Sequence, residues 1–467
     1  MRFTHLVPLL PLASAFVITD AQVFQDIEKP GKPLVDNAQS VLDTAFSKLK
    51  DAGKHLYSTI HETGYDIESW LEGSSFDDSV VDFEDHPHHP PHHPPHHPPH
   101  DGPPHDGPPH GPPHGPPHHK KPHHGDHDKP NRTVYELINE SKYTTQLAKL
   151  INEYDDIVQL LNGTKANYTI FAPTDEAFDK IPAHGKKPSK EVLKDILLYH
   201  VVDDFYPAGR VLQSYTIPTL YTPERLLGHQ QRLTIRVTLK GPAINFYSRL
   251  VALNIFGTNG VVHGVDSLLI PPPNVASIID LLPGEFSTLE LALGKTGLWE
   301  KINTTEPHEG GTFFAPSNFA FQKLGPRVNA FLFSKYGEKY LKALLKYHMV
   351  VDQTLYTDAF YDHKGKKDDE ITDHPPYYHY DLPTVLSDKY LAVDVARYGP
   401  FVSIKINGFS RVTVHDGVAS DGVIQVVSNV LIPPKNTPSG EVFWQGEELA
   451  VEDLKGRLAP LVENMEL

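Results

Sequence analysis

The stretch Thr169–Phe178, TIFAPTDEAF, returns in altered form as Thr312–Phe321, TFFAPSNFAF. Each copy reads as a short apolar strand that a proline halts, Pro173 or Pro316, and that passes at once into a helix. Thr174 and Ser317 stand where a helix N-cap is needed. Asp175 and Glu176 place negative charge in the first turn, where the helix dipole favours it. Two copies of one strand-to-helix joint predict two related modules in tandem. In the second copy Asp175 and Glu176 have become Asn318 and Phe319. What repeats is the joint, not an acid–base pair.

Other features repeat around it in the same order. A helix over Ser189–His200 carries Val192, Ile196 and Tyr199 on one row and Leu193, Leu197 and His200 on the next. Lys339–His348 repeats that register with Tyr340, Leu344, Tyr347 and Leu341, Leu345, His348. Beyond Pro218 the period becomes two. Leu233, Ile235, Val237 and Leu239 alternate with Thr234, Arg236 and Thr238, which predicts a half-buried antiparallel strand. Strands are also expected over Ile244–Ile255, around Tyr390–Val395 and over Val402–Ile406, with a polar insertion at about Asp362–His374. The modules close on GVVHGVDSLLIPP, Gly260–Pro272, and GVIQVVSNVLIPP, Gly422–Pro434. A tail from Gly440, with Phe443, Trp444 and Leu449, predicts one more helix on the second module.

The flanks point to the secretory pathway. Residues 1–15 carry Arg2, an apolar run Leu6–Phe16 and the small-residue site Ala13-Ser14-Ala15, the pattern of a signal peptide. Five N-x-[ST] acceptors follow, at Asn131, Asn139, Asn162, Asn167 and Asn303. The 467 residues include no cysteine, so core burial alone must stabilise each module. A net charge of −17 argues against nucleic acid as a partner. No run reaches the ~20 apolar residues of a membrane span, and the C-terminus shows no lipid-anchor signal. Residues 16–85 are polar and acidic. Leu34, Val41, Leu42, Phe46 and Leu49 give them a partly helical stripe, which fits either a docking helix or a disordered pro-region.

Residues 86–130 are almost wholly His, Pro, Gly and Asp. Proline at this density forbids helix and favours extended polyproline II, so the tract reads as a disordered stalk of up to about 130 Å. Clustered imidazoles such as His88, His89, His92, His93, His96 and His97 suit loosely bound zinc or copper, with little selectivity in the absence of a fixed second shell. The 29 histidines of the chain outnumber its excess negative charges, so acid would reverse its sign. A plain solvated stalk is the remaining reading.

Three ordered motifs thus coincide twice: the TIFAPTDEAF line, a Tyr-His pair ending a helix (Tyr199-His200, Tyr347-His348), and a closing Gly-Val-Val/Ile strand that runs to Pro-Pro. Together they resemble the fasciclin domain of periostin-like adhesion proteins, over about Asn131–Lys435. The resemblance implies an α+β fold, with two tandem modules at 131–272 and 273–435. Each would be a mostly antiparallel β-wedge beside a helical group, followed by a tail over 436–467. It implies binding rather than catalysis, with a cell-surface, matrix or wall component, protein or polysaccharide, as partner. It points to Tyr199 and His200 as binding residues, and Lys194-Asp195-Ile196-Leu197 resembles a short integrin-type motif of the family. His263 and Asp266 join the candidate constellation. Their counterparts Gln425 and Ser428 predict that the second module does not bind in the same way. The helical rows make core packing the competing role for each of these side chains.

No H-E-x-x-H, G-x-S-x-G or phosphate-binding glycine loop is present, and the chain is expected not to be an enzyme and to need no cofactor. The leading expectation is a secreted, glycosylated adhesion or structural protein of the matrix or cell wall. The alternative is a luminal, vacuole-like protein that buffers metal or responds to pH through the histidine tract.

Overall fold

The computed structural model describes residues 130–164, 166–181, 188–226, 228–238, 241–302, 310–362, 377–398, 401–438 and 440–463. The expected signal peptide, the 16–85 segment, the histidine tract up to residue 129 and Asn303 lie outside the described residues.

The first module opens with three helices, α1 (Val134–Glu140), α2 (Thr145–Ile151) and α3 (Asp155–Asn162). A capping box at Thr133 and Glu136 starts α1. The repeated stretch then forms β1 (Tyr168–Pro173) and α4 (Asp175–Asp179). Next come α5 (Lys190–Tyr199), β2 (Val201–Val202), α6 (Ala208–Gln213), β3 (Thr216–Pro218), β4 (Arg232–Thr238), β5 (Gly241–Ile244), β6 (Ser248–Gly257) and β7 (Gly260–Val265). They make one seven-stranded sheet, ordered β2-β1-β7-β6-β5-β4-β3. Every pairing is antiparallel except β1 with β7, which lie parallel to each other. The two lines that defined the repeat are therefore neighbours, Tyr168 opposite Gly260 through Pro173 opposite Val265.

The second module follows the same plan. It contains α7 (Val275–Leu281), α8 (Pro283–Lys295), α9 (Trp299–Ile302), β8 (Gly311–Pro316), α10 (Asn318–Lys323), α11 (Gly325–Leu332), α12 (Glu338–Tyr347) and β9 (Met349–Val351). A hairpin of β10 (Gln353–Leu355) and β11 (Phe360–Asp362) stands where the first module has α6. Then come β12 (Tyr377–Pro383), β13 (Tyr390–Tyr398), β14 (Phe401–Ile406), β15 (Ser410–Ala419) and β16 (Gly422–Val427). The sheet order is β12-β13-β14-β15-β16-β8-β9, with β16 and β8 parallel. A small hairpin, β17 (Lys435–Thr437) with β18 (Gly440–Val442), leads to α13 (Val451–Glu463), which packs on α12. The tail helix thus begins later than the sequence suggests, although Trp444 and Leu449 are buried as expected.

Both central lines are apolar because both faces of these strands are covered. All six residues of β1 and of β7 are buried. Phe171, Phe286 and Phe314 are among the largest fully buried side chains. Each contributes about 1.5–3 kcal/mol relative to exposure. The sheets turn at Asn259-Gly260 and Asp421-Gly422, and glycine is required there by close approach. A Cβ on Gly260 would sit 2.1 Å from the Tyr168 carbonyl oxygen, and one on Gly422 2.4 Å from that of Gly311.

Two sequence expectations change. Ser317 caps α10 by accepting from the Ala320 amide, but Thr174 makes no side-chain cap bond. Asp175 instead reaches across to α2 and accepts from the Thr145 and Gln146 amides at 3.3 and 2.8 Å. The second correction concerns β4. Thr234, on the face expected to meet solvent, is 0% exposed, and Arg232, two residues before it, is 2% exposed, because the second module covers that face.

Candidate functional site: the polar joint between the modules

The Tyr-His pair works inside each module. His200 donates from Nδ1 to the Ile196 carbonyl at 2.7 Å, and its Nε2 accepts the Leu269 amide at 2.9 Å. His348 does the same with Leu344 and Leu431, at 2.7 and 2.8 Å. Each imidazole ties the end of a helix to the chain that follows the last strand. Tyr199 donates to the Arg232 carbonyl and accepts from Asn245, whose Oδ1 takes the Thr234 amide. Tyr347, Asn407, Tyr390 and Ala392 repeat that chain of bonds. Burial pulls His200 and His348 down from 6.5 to about 4. Burial likewise pushes the Tyr199 and Tyr347 phenols well above their ordinary range, so each stays protonated at every ordinary pH.

His263 and Asp266 are likewise engaged within the module. His263 is 0% exposed, stacks on Phe171, donates from Nε2 to the Tyr206 carbonyl at 2.8 Å and accepts the Asn254 amide on Nδ1. Burial lowers it to about 4, against the bond to Tyr206. In the second module Gln425 makes both bonds, donating to the Leu355 carbonyl and accepting the Asp416 amide. The exchange of His263 for Gln425 changes the chemistry and keeps the geometry. Burial pushes the Asp266 carboxyl up, but bonds from Arg249 and the nearby Lys180 outweigh it and hold it below its usual range. Ser428 takes the place of Asp266, accepting the Arg411 amide as Asp266 accepts that of Arg249. In the Lys194–Leu197 tetrapeptide, Leu197 is buried and Lys194 pairs with Asp156 at 2.6 Å. Asn131, Asn139, Asn162 and Asn167 are all exposed.

The polar groups that converge lie between the modules, where the sequence carries no signal beyond two arginines in a strand. Asp358, in the turn between β10 and β11, accepts the Tyr215 and Thr216 amides at 2.9 and 2.8 Å and the Thr216 hydroxyl. Arg232 donates to Thr216 Oγ1 at 2.6 Å and to the Tyr361 hydroxyl at 3.2 Å, and lies 3.9 Å from Asp358. Tyr361 stacks on His229 with 4.4 Å between ring centroids. Arg236 donates from Nη1 to His415 Nε2 at 2.9 Å, and His415 passes the contact on from Nδ1 to Asp416 at 2.9 Å. This arrangement needs a neutral imidazole, with its proton on Nδ1. Burial and the Arg236 charge both lower His415, against the pull of Asp416. Burial alone would raise Asp416. Bonds from His415 and Thr357, with Arg236 nearby, hold it at about 2. Asp416 sits at a bulge in β15 with φ 56°, as Asn254 sits at the matching bulge in β6 with φ 59°. Asparagine and aspartate are the side chains that tolerate this left-handed backbone best after glycine.

The joint ties β3 and β4 of the first module to the β10–β11 turn and β15 of the second. A model of the Fasciclin domain matches residues 142–271 and 284–433, more than half of the chain. The chain belongs to the fasciclin family. It is 28% identical to the aurofusarin biosynthesis cluster protein S of Gibberella zeae, over 73% of this chain and 89% of that one. It is 25% identical to the transforming growth factor-beta-induced protein ig-h3 of Oryctolagus cuniculus, over 49% of this chain and 33% of that one. It is 32% identical to the cell surface glycolipoprotein MPB83 of Mycobacterium bovis, over 28% of this chain and 56% of that one. Of these relatives, the Mycobacterium bovis protein is named as a cell surface protein and the Gibberella zeae protein for a biosynthesis cluster. No helix among the described residues is long and apolar enough to cross a membrane.

Proposed function

We propose that this fasciclin pair is a secreted, glycosylated adhesion or structural protein that acts by binding a cell-surface, matrix or wall component. The observation that carries the reading is the duplicated fasciclin domain itself, shared with a relative named as a cell surface glycolipoprotein. The polar joint supports it, because a fixed pair presents its outer faces in one relative orientation. The exposed acceptors at Asn131, Asn139, Asn162 and Asn167 support a glycosylated first module. The test is binding of the folded protein to cells, wall polysaccharide and matrix preparations, beside a globular control of similar charge. Retention no greater than that of the control in all three preparations overturns the reading.

A second reading rests on the relative from Gibberella zeae, which is matched over most of its length and is named for a biosynthesis cluster. On that reading the pair serves a biosynthetic pathway as a binding member. Deleting the gene separates the two. Loss of a pathway product with unchanged adhesion favours the second, and the reverse result favours the first.

A further inference from the structure

The face of the first module that grips the second has a counterpart in the second module. Shared hydrogen bonds set the equivalence. Tyr199 donates to the Arg232 carbonyl as Tyr347 does to that of Tyr390. The Thr234 amide donates to Asn245 as that of Ala392 does to Asn407. Arg232, Thr234 and Arg236 on β4 therefore correspond to Tyr390, Ala392 and Asp394 on β13. The strand registers add Thr216 against Asp381, since Pro218 pairs with Arg232 as Pro383 pairs with Tyr390. In the first module this face is covered. In the second, Tyr390 is 57% exposed and the Asp381 side chain 67%. A cleft of about 340 Å³ opens there, lined by Asp381, Asp388, Tyr390, Ala392, Glu441 and Phe443. Lys389 pairs with Glu441 at 2.6 Å in its wall. Where the covered face carries two arginines, the open one carries Tyr390 with Asp381 and Asp394, two carboxylates that share His379 at 3.2 and 2.8 Å.

The receiving surface has a counterpart too. The Ala208 amide donates to Asn254 as the Thr357 amide does to Asp416. Gly209 then stands for Asp358, Asn254 for Asp416 and Leu253 for His415. Both carboxylates of the receiving surface are gone, and Arg210 follows Gly209 with its side chain 41% exposed. Phe205, 36% exposed, lies beside Phe256 with ring centroids 6.2 Å apart. Arg210 pairs with Asp204 at 2.7 Å and lies over the Tyr206 ring. Arg210 also donates to the Phe205 carbonyl at 2.8 Å, so its guanidinium is held in place at the surface while solvent screens its pair with Asp204.

Sign has thus been exchanged on one surface and altered to match on the other. We propose that the open β12–β13 face of one chain docks on the Phe205–Arg210 and Leu253–Phe256 surface of a second copy, with Asp381 meeting Arg210. This contact repeats the arrangement of the internal joint with the charges reversed. It is heterologous, so copies add head to tail.

The test is sedimentation velocity of the full-length protein over a range of concentrations, at low and high salt. Average mass is expected to rise with concentration and to fall with salt. Asp381→Arg and Arg210→Glu should each weaken association at least about tenfold, and an equimolar mixture of the two variants should recover it. Glu452→Lys, on the exposed face of α13, controls for net charge and should leave association unchanged. Both test side chains are exposed, and circular dichroism checks that each variant is folded. A wild-type chain that stays monomeric at every concentration and salt overturns the proposal. So does association that neither variant weakens. Cross-links from the β12–β13 face to residues 16–85 of the same chain would assign the face to that segment and overturn it as well.

Discussion

Acid should destabilise this protein through its buried histidines. In the unfolded chain a histidine titrates near 6.5, whereas His200, His263 and His348 are lowered to about 4 by burial. Between those values the unfolded state binds protons that the folded state does not. Stability is therefore complete above about pH 6.5 and is lost as the pH falls toward 4. The linkage is worth about 2 kcal/mol per histidine at pH 5 and about 3 kcal/mol in full. The first module holds two of the three and loses about 4 kcal/mol at pH 5, while in the second His348 accounts for about 2 kcal/mol and His415, also lowered, adds to it. Domains of this size have roughly 5–15 kcal/mol in hand, so the first module approaches its limit. The second module supplies the decisive variant. Gln425 makes the same two bonds as His263 without titrating. His263→Gln should fold and should remove about 2 kcal/mol of the acid loss at pH 5. Urea denaturation at roughly pH 7.5, 6, 5 and 4.5 measures the difference. A variant with the same pH slope as wild type, or a wild type of constant stability over that range, would refute the reasoning.

Asp358→Ala should strand the Tyr215 and Thr216 amides and leave Arg232 without its carboxylate. The expected cost is about 3–5 kcal/mol, read as two separate calorimetric transitions in place of one coupled transition. Gly260→Ala should destabilise the first module by more than about 3 kcal/mol in thermal melts, since its Cβ meets the Tyr168 carbonyl oxygen. Gly284→Ala, with nothing within 4 Å, should lie within about 1 kcal/mol of wild type. Calorimetric titration with Zn²⁺ and Cu²⁺, with and without residues 86–127, should show uptake that disappears with the tract. Equal uptake by both chains would leave the tract as a plain solvated stalk.

The modules are legible in the sequence because the apolar residues, prolines and glycines of their buried lines recur in the same order. Parallel contact between β1 and β7 demands two continuous apolar strands, and these are the stretches that recur. The joint is not legible, and β4 shows why. A period of two says that Arg232, Thr234 and Arg236 share a face, but not what covers that face. Hydrogen-bond partners 129 to 182 positions away supply the answer. Strand β12 escapes a sequence reading because it emerges directly from the polar insertion and is exposed at alternate positions. The exchange of His263 for Gln425 reads as divergence by letter. In the fold it preserves the same pair of bonds, a match of shape between an imidazole and a primary amide that a comparison of letters does not reveal.

The bulge shared by Asn254 and Asp416 has a genetic consequence. A left-handed position in the middle of a strand admits few side chains, yet asparagine and aspartate fit it equally, and their codons differ by a single base. A fasciclin module can therefore switch a charge on or off at the centre of its contact surface in one mutational step, while the strand keeps its course. After duplication, that is a short route by which one copy becomes a partner for the other.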